Sequence, residues 1–183
     1  MFPANRLQKM ATTVRVHLLA AAGAAEVLLT EEGQPRAEII IAQDAPPEIV
    51  GAAEDLRDQL AKMSGAELPV VGMPSGREGF ARIWIGAGPE LTRRLPEPTL
   101  DWTAPEQFLI AVIPPADVVL AGRDVVHGDR LMESGTRLAV YTFLHEDLDV
   151  RWLWPGALGT DVPNVPTLRV PAGEDAGRSC AGW

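Results

Sequence analysis

The chain has little of the sulfur and aromatic chemistry on which many functional sites are built. Its 183 residues include a single cysteine, Cys180, and three histidines. One cysteine excludes an internal disulfide and any metal site with several cysteine ligands. Aromatic residues make up 5% of the chain, and no apolar run approaches the ~18 residues of a membrane-spanning helix. We therefore expect no membrane span.

Positive charge is also scarce. Sixteen Lys and Arg residues stand against 25 Asp and Glu, which gives a formal net charge of −9 at pH 7. Nucleic acids are bound by clustered Lys and Arg, so the composition argues against a nucleic-acid partner. The length suits one domain and is too short for a complete (β/α)8 barrel of about 250 residues. With 46% hydrophobic residues, the chain can form a core.

Residues 1–25 differ in composition from the rest of the chain. Arg6 and Lys9 precede a short apolar run that ends in small Ala and Gly residues. A basic start, an apolar run and small residues are the parts of a secretory signal. We interpret residues 1–25 as either a tail or an export signal. An export signal would place the protein in an extracellular or periplasmic compartment and a tail in the cytoplasm, so the sequence leaves the localisation open.

The body of the chain, residues 26–163, begins with strand and helix patterns. Residues 25–29 and 37–42 are apolar and flank a polar Gly-Pro segment, which predicts a hairpin-like connection. Residues 48–63 place apolar side chains at steps of three and four and are followed by Gly65. This spacing predicts an amphipathic helix with a left-handed glycine after its last turn.

The second half of the body again contains both strand and helix patterns. A second helix, apolar on most sides, is predicted over residues 136–148. Strands are predicted at residues 68–71, 81–85, 107–113 and 118–121, the last two as a hairpin. The order predicts a single α/β (α+β) domain in which two main helices pack on a mixed β-sheet. Residues 164–183 contain Pro and Gly breakers without an amphipathic run and are predicted to be an irregular C-terminal tail, as truncation of a longer reading frame would produce.

Known site motifs are incomplete in this chain. Gly86 and Gly88 follow a strand as in a dinucleotide fingerprint, but the third glycine should fall at Leu91. His145-Glu146 begins a zinc-protease motif, but the second histidine should fall at Asp149. The P-loop and Gly-x-Ser-x-Gly patterns are absent from the sequence. We therefore predict no cofactor, no metal and no catalytic residue.

Carboxylates are numerous, and glycoside hydrolysis uses two of them across a cleft about 5–10 Å wide. The acidic residues that are close in sequence, such as Glu54, Asp55 and Asp58, fit an exposed helix face. A small hydrolase with an unrecognised carboxylate site stays open as an alternative. It requires two carboxyl groups that converge in a pocket, one of them with a raised pKa.

One short segment carries the candidate contact residues Arg151, Trp152 and Trp154. The two tryptophans alternate around Leu153, so they point to the same side if the segment is extended. Two indoles on one side can stack on a sugar or contact another domain. Alternatively, they cover the end of the preceding helix.

Several segments, taken in order, resemble the N-terminal domain of glycoside hydrolase family 67 α-glucuronidases and of bacterial proteins with a DUF4838 region. The design is also similar to the small domain that precedes the barrel in β-hexosaminidases. The resemblance covers residues 26–163. It is carried by residues 33–42, 52–70, 83–86 (Ile-Trp-Ile-Gly), 139–144 and 150–156 (Val-Arg-Trp-Leu-Trp-Pro-Gly).

The resemblance implies a domain that precedes a catalytic (β/α)8 barrel, which removes glucuronic-acid groups from xylan-derived sugars. The catalytic carboxylates belong to that barrel, so none is carried over. The expected function is that of a non-catalytic accessory domain that packs against a barrel absent from this chain, and a stand-alone carbohydrate-binding module is the alternative. Where the family has glycine this chain has Asp149, which tolerates a left-handed backbone, so the turn is predicted to survive.

Overall fold

The computed structural model of the protein describes residues 13–15, 26–94, 102, 106–127, 130–154 and 159–172. The helices are α1 (Pro47–Ser64), α2 (Pro89–Arg94) and α3 (Gly135–Thr142), and α3 continues into one π-helical turn, Phe143–Asp147. The strands are β1 (Thr13–Arg15), β2 (Glu26–Glu31), β3 (Gln34–Pro35), β4 (Ala37–Ile41), β5 (Val70–Val71), β6 (Ala81–Ile85), β7 (Phe108–Ile113), β8 (Asp117–Gly122), β9 (Asp124–His127), β10 (Arg130–Ser134), β11 (Arg151–Trp152), β12 (Thr160–Asp161) and β13 (Leu168–Pro171).

A six-stranded mixed sheet with the order β1-β7-β8-β6-β4-β5 organises the domain. Strands β7 and β8 form the predicted antiparallel hairpin, and the other neighbouring pairs are parallel. Three smaller sheets of two or three strands lie beside it in the described part of the chain. The predicted α/β (α+β) class, a mixed sheet with helices packed on it, is confirmed.

Helices α1 and α3 cover one face of the main sheet. Helix α1 buries Ile49, Leu56 and Leu60 in a cluster with strand residues of that face, as its spacing predicts. Its end is also as predicted: Gly65 has a φ of +78°, and its N–H donates to the Ala61 carbonyl. Helix α3 and its π-helical turn match the second predicted helix, and Phe143 is fully buried in the same cluster.

The opposite face of the sheet carries a second, smaller apolar cluster. Ile40 and Trp84 belong to it, whereas their chain neighbours Ile39 and Ile83 belong to the first cluster, because successive side chains of a strand point to opposite faces. Leu91 from the short helix α2 packs into this second cluster. The sheet is therefore a buried middle layer, as the continuous apolar runs of parallel strands require.

The predicted hairpin between residues 25–29 and 37–42 is wrong. Strand β2 instead pairs with β3 and β13 in a separate three-stranded sheet, and β4 joins the main sheet. Glu32 and Gly33 have φ values of +49° and +76°, which suit a tight two-residue turn from β2 to β3. Strand β4 is buried along almost its whole length, which fits the middle of a parallel sheet and not a hairpin with one solvated face.

The interpretation of residues 164–183 as an irregular tail is wrong for residues 168–171. Strand β13 pairs antiparallel with β2, and Leu168 and Val170 are buried while Arg169 is exposed. Two apolar residues beside a proline give too short a pattern to predict a strand, and the pairing that buries them is remote in sequence. Residues 173–183, which include Cys180, lie outside the described residues.

Two further features differ from the prediction. Thr13–Arg15, within the predicted tail or export signal, pairs parallel with β7, and the rest of residues 1–25 lies outside the described residues. Residues 122–134, for which the sequence predicts no element, contain the antiparallel pair β9–β10. Within the described segments, no helix is both long and apolar enough to cross a membrane.

Candidate functional site

The candidate contact residues begin at a left-handed turn after the π-helical turn. Asp149 has a φ of +56°, so aspartate occupies the left-handed position as predicted. One oxygen of its carboxylate, Oδ1, accepts from Arg151 Nε at 3.0 Å and from Nη2 at 2.8 Å. The left-handed turn sets the direction in which β11 leaves the helix, and the ion pair lies exposed beside it.

Three consecutive apolar side chains are exposed at the end of β11 and just after it. The exposed fractions are 42% for Trp152, 61% for Leu153 and 57% for Trp154. The strand pairs with β12 through Arg151–Asp161 and Trp152–Thr160. The Leu153 N–H also donates to the Gly159 carbonyl at 2.7 Å. The backbone of this segment is thus tied to the domain although its side chains are not buried.

Trp152 forms one wall of a pocket of ≈ 300 Å³, which we call the Trp152 pocket. Its ring meets the ring of Tyr141 edge to face, with centroids 5.8 Å apart and an interplanar angle of 80°. The residues that line the pocket are Tyr141, Thr142, His145, Glu146 and Trp152. Its volume lies at the lower end of the range for small-molecule sites, about 300–1,000 Å³.

The polar groups of the Trp152 pocket are held in defined states. His145 Nδ1 lies 3.1 Å from the Val150 carbonyl oxygen, which only accepts, so Nδ1 carries the hydrogen and Nε2 of the neutral ring is an acceptor. The Tyr141 hydroxyl donates to Asp55. Burial and this contact to Asp55 raise the pKa of Tyr141 to about 12, so the phenol stays protonated. Two aromatic walls with hydrogen-bond acceptors suit a ligand rich in hydroxyl groups.

Trp154 does not line the Trp152 pocket. It lies past the end of β11 and packs against Gly159, where a Cβ atom would collide with the Trp154 carbonyl group. The structure therefore joins Arg151 and Trp152 in one strand and places Trp154 beyond it. Residues 155–158, the remainder of the predicted contact segment, lie outside the described residues.

A groove of ≈ 330 Å³ between α1 and α3 is lined by three glutamates, and we call it the carboxylate groove. Glu133 in this groove is paired with Arg123. Among the carboxylates with described side chains, burial raises the pKa of Asp124, but Asp124 does not line the groove. Its two oxygens accept from the Thr136 hydroxyl and backbone N–H at the start of α3. The groove is lined by Glu48, Glu106, Met132, Glu133, Ser134, Arg137, Leu138 and Tyr141.

A general acid in a carboxylate pair needs a raised pKa. Here the carboxylate with the raised pKa, Asp124, lies outside the groove. Asp124 holds the start of α3 through its contacts to Thr136 and is not a lining residue of the carboxylate groove. Across the residues that the structure describes, no group of three or more His, Cys, Asp or Glu side chains could hold a metal ion.

Sequence reasoning missed the helix side of the Trp152 pocket. Tyr141 and His145 are four residues apart, so they lie on one face near the end of α3, and Glu146 is adjacent. Polar side chains at a spacing of four in a mostly apolar helix could have indicated a polar site on that face. Their relation to Trp152 depends on the reversal of the chain at Asp149, which sequence spacing does not define.

Comparison with known proteins gives distant structural similarity alone. No family model and no curated protein matches the chain. One similar solved structure is a novel family GH115 4-O-methyl-α-glucuronidase, BtGH115A, with specificity for decorated arabinogalactans. The identity is 16% and the TM-score 0.48, and the match covers 78% of this chain and 18% of that enzyme. The chain thus spans less than a fifth of that enzyme, and no activity or substrate of this protein follows from the similarity.

Proposed function

We propose that this chain is a non-catalytic accessory domain of a glycoside hydrolase, whose β11 surface, residues 151–154, packs against a catalytic (β/α)8 barrel. The observation that carries the proposal is the exposure of Trp152, Leu153 and Trp154 on a segment whose backbone is hydrogen-bonded to β12 and Gly159. Contiguous exposed apolar side chains on a soluble domain are typical of an interaction surface.

The composition of the β11 surface supports a contact with protein. Trp and Arg are enriched among the residues that dominate binding energy at interfaces, and both occur here next to each other. Packing against a partner would remove most of the exposed area of two indoles from water. That burial is favourable by about 25 cal/mol per Å² of apolar surface before the costs of association are subtracted.

The contact of Trp152 with the helix end also supports the proposal. Its edge-to-face contact with Tyr141 favours one orientation of the indole in the free domain. A side chain that is already oriented loses less conformational entropy on binding. The same residues, 150–156, are among those that carry the resemblance to the family 67 N-terminal domain, for which the partner is the enzyme's own barrel.

The test begins with the DNA that follows codon 183, read in three frames for a barrel-length sequence. The encoded barrel is co-expressed with the chain, and the complex is measured by light scattering after size exclusion. We expect a 1:1 complex that Trp152→Ala and Trp154→Ala each weaken. Met73→Ala, at another exposed apolar residue, is the matched control and should leave the complex unchanged. A chain that hydrolyses aryl glucuronides by itself, with turnover proportional to protein, would overturn the proposal.

The Trp152 pocket favours a second candidate, a stand-alone carbohydrate-binding module. An indole face beside the His145 and Glu146 acceptors matches the apolar face and hydroxyl groups of a pyranose ring. Calorimetric titration with xylo-oligosaccharides at millimolar concentration distinguishes the two functions. Sugar binding predicts heat that Trp152→Ala abolishes and that Trp154→Ala leaves in place, since Trp154 is outside the pocket. The absence of heat counts against this candidate and leaves the accessory role unaffected.

A further inference from the structure

Strands β4 and β6 are parallel neighbours in the main sheet, and the chain segments that follow them leave to opposite faces of the sheet. After β4 the chain enters α1, which packs on the face that carries Ile39. After β6 the chain enters α2, whose Leu91 packs on the opposite face with Ile40 and Trp84. The connections of adjacent parallel strands thus leave to opposite sides of the sheet. In open sheets such a point opens a crevice just outside the strand ends, where ligands bind.

The structure contains this crevice, with a volume of ≈ 80 Å³, and we call it the switch-point crevice. It shares no residue with the Trp152 pocket or the carboxylate groove. Its lining is formed by the ends of β4 and β6, the turn after β5 and the start of α2. The residues are Ile40, Ile41, Ala42, Gly72, Pro74, Trp84, Ile85, Gly86, Ala87, Gly88, Pro89, Glu90 and Leu91.

The lining of the switch-point crevice does not suit a phosphate group. Leu91 stands where a dinucleotide fingerprint has its third glycine, and its side chain is buried in the crevice wall against Ile40 and Trp84. The other lining side chains are aliphatic, aromatic or proline, apart from the single carboxylate of Glu90. An anionic ligand would lose its hydration here without a described cationic side chain in the lining to replace it.

Two glycines belong to the lining of the switch-point crevice for different reasons. Gly86 follows β6 with a φ of +80°, a conformation that side chains disfavour. A Cβ atom there would lie 3.9 Å from Ile49 and Thr136, which are outside the lining, so the turn and not the crevice requires this glycine. A Cβ atom at Gly88 would meet no other atom within 4 Å, so this lining position has room for a side chain.

We propose that the switch-point crevice binds a small uncharged molecule through an apolar group of the size of a branched aliphatic chain or one edge of an aromatic ring. The site is independent of the accessory role proposed for the β11 surface. A closed apolar cavity of about 150 Å³ holds benzene, so a crevice of ≈ 80 Å³ that opens to solvent accommodates part of such a ring.

The test uses benzyl alcohol and benzoate, which share a ring and differ in charge. The ¹⁵N–¹H spectrum of the full chain is recorded during titration with each. We expect benzyl alcohol to cause saturable shifts at the amides of Gly72, Gly86 and Gly88, with a Kd on the order of 1–10 mM. Benzoate should bind at least about tenfold more weakly, because its charge must be desolvated. Gly33 and Gly65, in turns outside the crevice, serve as internal controls.

Two variants make the assignment specific. Gly88→Val adds a branched side chain at a lining position of the crevice and should weaken benzyl alcohol binding about tenfold or more. Gly51→Val adds the same atoms on α1, at a position that also has no neighbour within 4 Å, and should leave the affinity unchanged. Should Gly88→Val not fold, Leu91→Ala enlarges the crevice and should tighten binding.

Three results would overturn the proposal. The first is an absence of saturable shifts up to the solubility of benzyl alcohol. The second is saturable shifts confined to the residues of the Trp152 pocket. The third is an equal affinity in Gly88→Val and Gly51→Val or, where Leu91→Ala is used, an affinity equal to that of the unmodified chain.

Discussion

Trp84 and Trp152 are the same residue type in two contrasting environments. Trp84 is 4% exposed, and its Nε1 donates to Asp117 Oδ1 at 2.7 Å. Trp152 is ten times as exposed, at 42%, and contacts the ring of Tyr141 from the domain surface. The first indole has both its apolar body and its N–H satisfied within the domain. The second leaves part of its apolar surface available, and this difference separates a structural tryptophan from a candidate contact residue.

The largest expected effect is at the buried member of the pair. Trp84→Ala removes an indole between Ile40 of β4 and Val119 of β8 and leaves a cavity in the second cluster. We expect a loss of about 3–5 kcal/mol in the free energy of unfolding, measured by urea denaturation with circular dichroism. A loss below about 1 kcal/mol would show that the second cluster contributes little to the fold.

The next effect concerns the hydrogen-bond partner of Trp84. Asp117 accepts from Trp84 Nε1 and from Arg82 Nη2, so Asp117→Ala leaves two donors without this acceptor. We expect a loss of about 2–3 kcal/mol by the same measurement. Asp58→Ala, at an exposed carboxylate of α1, is the control and should cost less than about 1 kcal/mol. Combining Asp117→Ala with Trp84→Phe should cost less than the sum of the single changes, because both remove the same bond. Full additivity would contradict the assigned contact.

A smaller effect tests a partly buried carboxylate at the start of α3, Asp124. Burial raises the pKa of Asp124 in the folded protein above its unfolded value of about 3.9. Its contribution to stability is therefore complete below about pH 4 and is lost as the pH rises through the folded pKa. Asp124→Asn should remove this component, so the variant loses less stability between pH 4 and pH 7 than the unmodified chain does. Asp44→Asn, which makes the same change at an exposed position, is the matched comparison variant. A profile for Asp124→Asn that parallels the unmodified chain would refute the assignment.

The smallest effect is expected at the exposed member of the pair. Trp152→Ala removes a partly buried indole and its contact with Tyr141, so the free energy of unfolding should fall by about 1 kcal/mol. The measurement is the same urea denaturation, with Trp84→Ala as the contrasting variant. A loss above about 2 kcal/mol would assign Trp152 a structural role and remove the basis for the contact surface.

The elements that the sequence predicts well are those whose signal lies within about twenty residues. Helix α1 and its end at Gly65, the β7–β8 hairpin and the left-handed Asp149 all follow from local spacing and backbone preference. The burial of Trp84 within an apolar strand follows in the same way. These features require no knowledge of the remote parts of the chain.

The features that sequence reasoning missed depend on remote pairing. Strand β13 is recognisable only once β2 is known to lack an antiparallel partner on that side. The Trp152 pocket forms because the turn at Asp149 reverses the chain and brings Trp152 against Tyr141. The division of β2 and β4 between two sheets is decided by what covers each strand, and the alternation within residues 26–42 does not contain that information.

The pairing of β13 with β2 also bears on how the domain is made. The Leu168 N–H donates to the Thr30 hydroxyl, and the two residues are 138 positions apart in sequence. Such a contact closes a very long loop, which is entropically costly and is typical of late steps in folding. During synthesis the first strand of this small sheet must wait until almost the whole described chain has left the ribosome. The edge of β2 is therefore a temporarily unpaired strand in the nascent protein, and its completion depends on a segment of four residues at the far end.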